Sequence, residues 1–364
     1  MTAASNGTDT EDRDALMIDF LRRAGWDSTA RALLTADAST RRYHRLSGGE
    51  MPALLMDAPP GAETAACPPD ADEAVRRELG YNAMARLAGP RLEAFTSLAD
   101  FLRDAGVRTP RIFADDPVHG FAVIEDFGDR LLAQAVEAGA DEASLYAEAL
   151  KTIRPLQKKP MSPGPVASWP LQTYDHVAYE AEVLLLPEWY APHRDVMLQG
   201  DAVEAYVAIW RELLAELSEP RTLTLRDFHA ENILVAGDGA LAVIDFQDAL
   251  IGQAAYDVVS LLEDARRDVD LGLAAELVTE EARLTPDSHA FMTDYAILAA
   301  QRNAKILGIF ARLTRRDGKP KYDALLPRVE DHFRRDLERP AVASLRPWFE
   351  QYLPRLLSDY RGQS

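Results

Sequence analysis

One cysteine, Cys67, is all that 364 residues provide, so neither an internal disulfide framework nor a cysteine-rich zinc site can form. Long apolar runs are missing as well. None approaches the roughly 18 to 20 residues that span a bilayer, so no membrane partner is expected. Residues 1–13 are polar and acidic, without the basic start and apolar middle of a signal peptide. A cytoplasmic protein is the plain expectation. Positive charge is in deficit, with 40 Lys and Arg against 59 Asp and Glu, a net charge of -19. DNA and RNA binding draws most of its affinity from basic patches, so no nucleic-acid partner is expected. Lysine is especially scarce. The first is Lys151, which excludes a lysine-bearing phosphate loop before it, and no Gly-x-x-x-x-Gly-Lys follows it.

What is present is a composition that is 47% hydrophobic, enough for a sizeable core in one or two domains. Residues 1–10 read as disordered and 14–34 as a helix, from apolar residues at helical spacing. Residues 37–46 and 52–56, joined through Gly48 and Gly49, read as strand, turn, strand. Four prolines mark 57–72 as a loop. Helical patterns cover 73–87 and 95–105, and strands are expected at 111–114 and 121–125. The run Glu125-Asp-Phe-Gly-Asp129 then breaks the pattern. It separates a mixed lobe, 1–127, from a mainly helical lobe, 128–364, and the fold class is α+β with two lobes.

The most informative stretch is 226–248. Two short apolar strands, 233–235 and 241–244, flank Gly237-Asp238-Gly239, the composition of a tight hairpin. Antiparallel pairing about that turn brings Asn232 beside Asp245. An amide oxygen and a carboxylate side by side are hard ligands suited to Mg²⁺. Asp227, five residues before Asn232, lies outside the hairpin yet close enough to share its pocket. One free carboxylate beside an Asn and a second Asp on the metal is the arrangement that transfers phosphate from ATP in protein-kinase-like folds.

With Asp227-Phe-His229 and the hairpin, the chain resembles the aminoglycoside phosphotransferase superfamily over nearly its whole length. Within it, the chain is similar to bacterial anomeric kinases of N-acetylmuramate and N-acetylglucosamine. The narrower match is carried by 37–45, by Tyr174-Asp175 with Glu182 and Trp189-Tyr190, by 226–232, by 245–248 through Tyr256-Asp257, and by Gln301-Arg302 through 309–312. The resemblance implies a two-lobed protein-kinase-like fold and ATP- and Mg²⁺-dependent phosphorylation of an amino sugar at O1, in recycling of cell-wall sugars. Asp227 is then the catalytic base, and Asn232 and Asp245 are the metal ligands. Ser39, Arg41 and Arg42 are candidates for the nucleotide phosphates, and Glu125 and Phe127 for the adenine edge. Tyr174, Asp175, Glu182, Trp189 and Arg302 are candidates for the sugar.

Two departures from the wider kinase pattern stand out. Leu225 occupies a position that is usually His, and the strand ending at Asp57 lacks the lysine that pairs with the α- and β-phosphates. Arg41, Arg42 or Arg45 can replace it, because guanidinium binds phosphate bidentately, and Arg42 is the first choice. Asp175 and Glu182 are seven apart, so one helix face can present both, with Trp189 as a flat surface for a sugar ring. An ordinary amphipathic helix with a buried Trp gives the same pattern. Arg302 and Lys305 share a helix face and suit a sugar carboxylate or plain solvent exposure; Arg266 and Arg267 are weaker candidates. Asp248 reads as a polar loop residue. Asp257 reads as a brace that accepts backbone N–H bonds from the catalytic loop. Two other functions stay open: a kinase of an aminoglycoside- or choline-like alcohol, and a catalytically silent nucleotide-binding module.

Overall fold

The computed structural model describes residues 6–34, 41–60, 67–68, 71–81, 91–158 and 160–358. Helix α1, Asn6–Arg23, opens the chain, so residues 6–10 are helical rather than disordered. It ends well before residue 34. Gly25 adopts φ +78°, a left-handed conformation open to glycine, and Trp26 N–H closes back on Leu21 O at 2.8 Å, as helix ends commonly do. The apolar residues beyond form an edge strand instead.

Five strands make one antiparallel sheet: β1 Ala30–Leu33, β2 Arg42–Ser47, β3 Ala53–Asp57, β4 Ile112–Asp116 and β5 Phe121–Glu125, in the order β1-β2-β3-β5-β4. Alternation along the central strands gives the sheet two apolar faces. Leu55, Phe121 and Val123 pack under Met17, Phe20 and Leu21 of α1, with Phe20 and Phe121 stacked at 5.7 Å. Arg13 and Arg23 tie α1 to the sheet through Asp57 and Asp116. Met56, Ala122 and Ile124 face the main core. Between β3 and β4 lie α2, Glu73–Leu79, and α3, Leu92–Asp104. The part of the expected 73–87 helix beyond residue 81 lies outside the described residues.

After β5 come α4 Leu132–Glu137, α5 Glu142–Gln157, the short pair β6 Gly164–Val166 and β7 Trp169–Leu171, then α6 His176–Val183, a π-helical turn Leu186–Tyr190, α7 Ala191–His193 and α8 Gly200–Ala215. Two small antiparallel pairs build the site. Strand β8, Thr222–Thr224, pairs with β11, Leu250–Gly252, and between them β9, Ile233–Val235, pairs with β10, Leu241–Val243. The remainder is helical: α9 Ala255–Leu262, α10 Leu271–Leu284, α11 Ser288–Arg315, α12 Leu326–Asp336, α13 Arg346–Tyr352 and α14 Pro354–Leu357. Among the described residues no helix is long and apolar enough to cross a membrane.

Helix α11 is the central post of this half, buried on nearly every side from Tyr295 to Ala311. It approaches the π-helical turn so closely that a Cβ on Gly308 would lie 2.4 Å from the backbone carbon of Leu185. Alanine is the better helix former by about 1 kcal/mol, but backbone against backbone cannot yield. Gly308→Ala is therefore expected to destabilise by about 1–3 kcal/mol, read as a lower Tm in calorimetry. An unchanged or raised Tm would show that the close approach is not required.

Candidate active site

The β9–β10 hairpin forms with Val235 opposite Leu241 and Ile233 opposite Val243. Its centre is Asp238, half a residue from the midpoint of Asn232 and Asp245. Asn232 consequently lies opposite Ile244, whose N–H donates to Asn232 O at 3.0 Å, and Asp245 follows at once. Arg108 holds the turn through Asp238 at 2.8 Å. Both expected metal ligands thus stand at one end of a short, rigid ribbon.

Asn232 is oriented by its amide nitrogen, which donates to Asp227 O at 2.9 Å and faces His229 Nε2 at 3.2 Å. That leaves Oδ1 as the atom available for a cation. Arg266 Nη1 also faces His229 Nε2, at 3.0 Å. Two donors on one ring nitrogen make it the acceptor and put the proton on Nδ1. Burial, aided by the Arg266 charge, pushes the His229 pKa down to about 4, so the ring is neutral near pH 7.

Asp245 sits at φ +59°, a conformation Asp tolerates better than most residues. Its side chain is 48% exposed and lies 3.8 Å from Arg41 Nη1, and Gln247 Nε2 donates to its Oδ1 at 2.7 Å. Enclosure by the cleft, and then the charge of Asp227, raise its pKa. Asp227 moves the other way. Burial pushes its carboxyl up, but Lys305, Arg226, His229 and Arg302 together outweigh this and hold it below the usual carboxylate range. Asp248 is lifted to about 6 by burial, with Asp227 and Asp245 adding to the rise against Arg226. One carboxylate held ionised near two whose ionisation is disfavoured is an arrangement that a cation would stabilise. Among the described residues no three or more His, Cys, Asp or Glu could hold a metal by themselves. An Asn and an Asp fit an ion such as Mg²⁺, which keeps waters and takes phosphate oxygens.

Asp227 stands in a loop set from below. The N–H groups of Leu225 and Arg226 donate to Asp257 at 2.8 and 2.9 Å, the brace expected of that residue. Leu225 itself is buried in the core.

A cavity of about 420 Å³ runs from this site to the sheet. Leu54, Ile124, Leu131 and Leu234 supply its apolar walls, Glu125 and Phe127 lie along its edge, and Arg41, Asn232 and Asp245 close its polar end. Arg42 contributes nothing to it. Side chains alternate along β2, so Arg41, Tyr43 and Arg45 line the cavity while Arg42 is exposed on the other face. The first choice, Arg42, is corrected in its placement: the cavity meets Arg41 instead. Arg45 is engaged instead by Asp126 and Asp129 at 2.6 and 2.7 Å. Ser39 lies outside the described residues.

The expected sugar contacts fare differently. Asp175 caps α6, accepting from Ala178 N–H at 3.0 Å, and is held bidentately by Arg76 at 2.6 and 2.9 Å. Glu182 is wholly buried and receives Arg226, Lys305, Gln301 and the Tyr174 hydroxyl. The two acids share no exposed helix face, and a direct sugar contact from Glu182 or Tyr174 is corrected, because protein groups enclose both. Arg302 is likewise buried and donates to Ser260 Oγ and Glu263 O. Trp189 packs half-buried on the core and does not line the cavity. Sequence reading gave no role to Gln247 or to the side chain of Arg226. Adjacency to Asp245 and Asp227 was the one signal available.

Arg41→Ala is expected to weaken ADP and ATP binding about tenfold or more, the scale of a lost charged hydrogen bond, while Arg42→Ala leaves it within about twofold. Calorimetry decides. The reverse order would return the phosphate role to Arg42.

The family model described as "Phosphotransferase enzyme family" matches residues 31–292. An N-acetylmuramate/N-acetylglucosamine kinase of Caulobacter vibrioides is 40% identical over 95% of this chain and 98% of its own. One of the same name from Pseudomonas aeruginosa is 31% identical over 91% and 92%. Among solved structures, an ADP-bound aminoglycoside phosphotransferase, APH(2'')-Ib, superposes with a TM-score of 0.55 at 12% identity, covering 88% of this chain and 98% of that one. Choline kinase LicA from Streptococcus pneumoniae gives 0.54 at 13% identity, covering 92% and 99%. These likenesses identify the two-lobed protein-kinase-like fold, and the chain belongs to the phosphotransferase enzyme family, as a small-molecule kinase.

Proposed function

We propose that the protein transfers the γ-phosphoryl group of ATP to the anomeric hydroxyl of N-acetylmuramate or N-acetylglucosamine, in the cytoplasmic recycling of cell-wall sugars. The 40% identity over 95% of the chain to a kinase named for these two sugars carries the substrate class. Asp227 stands in the loop beside the hairpin, placed to take a proton from an acceptor hydroxyl, and O1 is the acceptor that the family resemblance of the sequence implies.

In this reading residues 1–127 form the nucleotide lobe and 128–364 the lobe of catalysis and sugar binding; the five-stranded sheet ends at Glu125. Adenine occupies the slot between Leu54, Ile124, Leu131 and Leu234, with its edge toward Glu125–Phe127. Arg41 meets the phosphates in place of the missing strand lysine. Asn232 and Asp245 would hold Mg²⁺, which when bound neutralises charge on the β- and γ-phosphate oxygens. Asp227 orients O1 and accepts its proton as the P–O bond forms. Gln247 keeps Asp245 turned to the cleft, and neutral His229 keeps the Asn232 amide from rotating.

Asp227→Asn keeps the shape but cannot accept the proton. kcat should fall about 10² to 10⁴-fold with the ATP dissociation constant unchanged; weaker ATP binding with kcat preserved contradicts the assignment. The acceptor atom is tested by phosphorus NMR of the product and by the methyl glycoside of N-acetylglucosamine. A sugar 1-phosphate and an inert methyl glycoside are expected. A 6-phosphate, or turnover of the glycoside at the free-sugar rate, rules out O1.

A further inference from the structure

Glu182 is buried with no exposed surface, deep beneath the base. Ion pairs join it to Arg226 Nη2 at 2.8 Å and Lys305 Nζ at 3.0 Å, and Gln301 Nε2 donates to it at 3.0 Å. The Tyr174 and Tyr256 hydroxyls complete the cluster, 3.2 Å from each other, with Tyr256 also 3.2 Å from Lys305. Arg226 directly precedes Asp227 and holds φ +71°, where a residue with a Cβ persists only if its surroundings over-determine it. They do. Its N–H is held by Asp257, its carbonyl by Ser260, and its guanidinium by Glu182 and the Asp248 carbonyl, 4.9 Å above the Tyr174 ring.

We propose that Glu182 is a positioning residue for phosphoryl transfer, acting through Arg226. Its carboxylate fixes the guanidinium of the residue before the base and balances Lys305, so the turn that aims Asp227 keeps its strained backbone. A buried cation without its partner would seek water, and the loop carrying it would move. The acid is supplied by α6 and the loop by the β8–β11 pair, so the contact also registers one element on the other. This inference rests on Asp227 being the base.

A double-mutant cycle tests it, because only coupled residues depart from additivity. Glycine tolerates φ +71° but populates other conformations as readily, so Arg226→Gly can fold while the turn loses its pin. Glu182→Gln and Arg226→Gly should each lower kcat about 10-fold to 10²-fold, the scale of a misplaced catalytic group. The sugar KM and ATP affinity should change less than about threefold on the same scale, and the double variant should be no worse than the poorer single one. Losses that multiply, a raised sugar KM at unchanged kcat, or a folded Glu182→Gln with full kcat would each overturn the proposal. If Glu182→Gln alone does not fold, Glu182→Gln with Lys305→Met removes the acid together with one of its two cations, restoring the charge balance. Its kcat must then lie below that of Lys305→Met by the same factor, and equal rates overturn the role. Asp227→Asn is measured beside them. If it remains active the base assignment fails, whereas the cycle reports separately on whether Glu182 and Arg226 are coupled.

Discussion

One carboxylate, Asp257, accepts the backbone N–H groups of both Leu225 and Arg226, and the rest of the site depends on it. Those donors lie where β8 ends and the chain turns through a left-handed residue, so neither can be satisfied by a regular ladder. Burial lifts the Asp257 pKa to about 7, and the two donated bonds act in the opposite direction. The loop that follows carries Asp227, whose carbonyl holds the Asn232 amide, so a single anchored turn sets both side chains together. Leu225 is compatible with this plan because the brace acts on main-chain atoms, and the side chain is free to fill the core.

The electrostatics of the site run against those of the whole molecule. A chain with net charge -19 concentrates Arg226, Lys305, Arg302 and Arg266 around the loop that carries Asp227. Each of them meets an acid or a hydroxyl nearby: Glu182 for Arg226 and Lys305, Glu231 for Arg266, Ser260 for Arg302. The cations hold Asp227 ionised, while Asp245 and Asp248 resist ionisation in front of it. Arg41 stands apart from that cluster, at the polar end of the cavity beside Asp245.

The hairpin and the approach of Asn232 to Asp245, with Asp227 nearby, were legible in sequence because they are local. A Gly-Asp-Gly turn between two apolar runs fixes which residues meet, to within half a residue, and turn chemistry needs no distant partner. The sheet strands at 111–114 and 121–125 were legible for similar reasons, whereas the brace from Asp257 reaches back 31 and 32 positions and was read from its place just after the hairpin. The end of α1 was not, because helical spacing continued past Gly25 into a stretch that pairs with β2.

What only the tertiary structure decided was the side on which each charge acts. Arg41 and Arg42 are one residue apart, and a one-residue shift in a strand reverses the face; the sheet's packing on α1 assigns Arg41 to the cavity. Glu182, Arg302 and Lys305 look like solvent-facing charges on amphipathic helices. They are buried because α6, α9 and α11 converge on them with partners from up to 123 positions away, as Lys305 is from Glu182. Composition and spacing record which groups ionise, but the free energy of burying them depends on partners that the fold alone brings within reach.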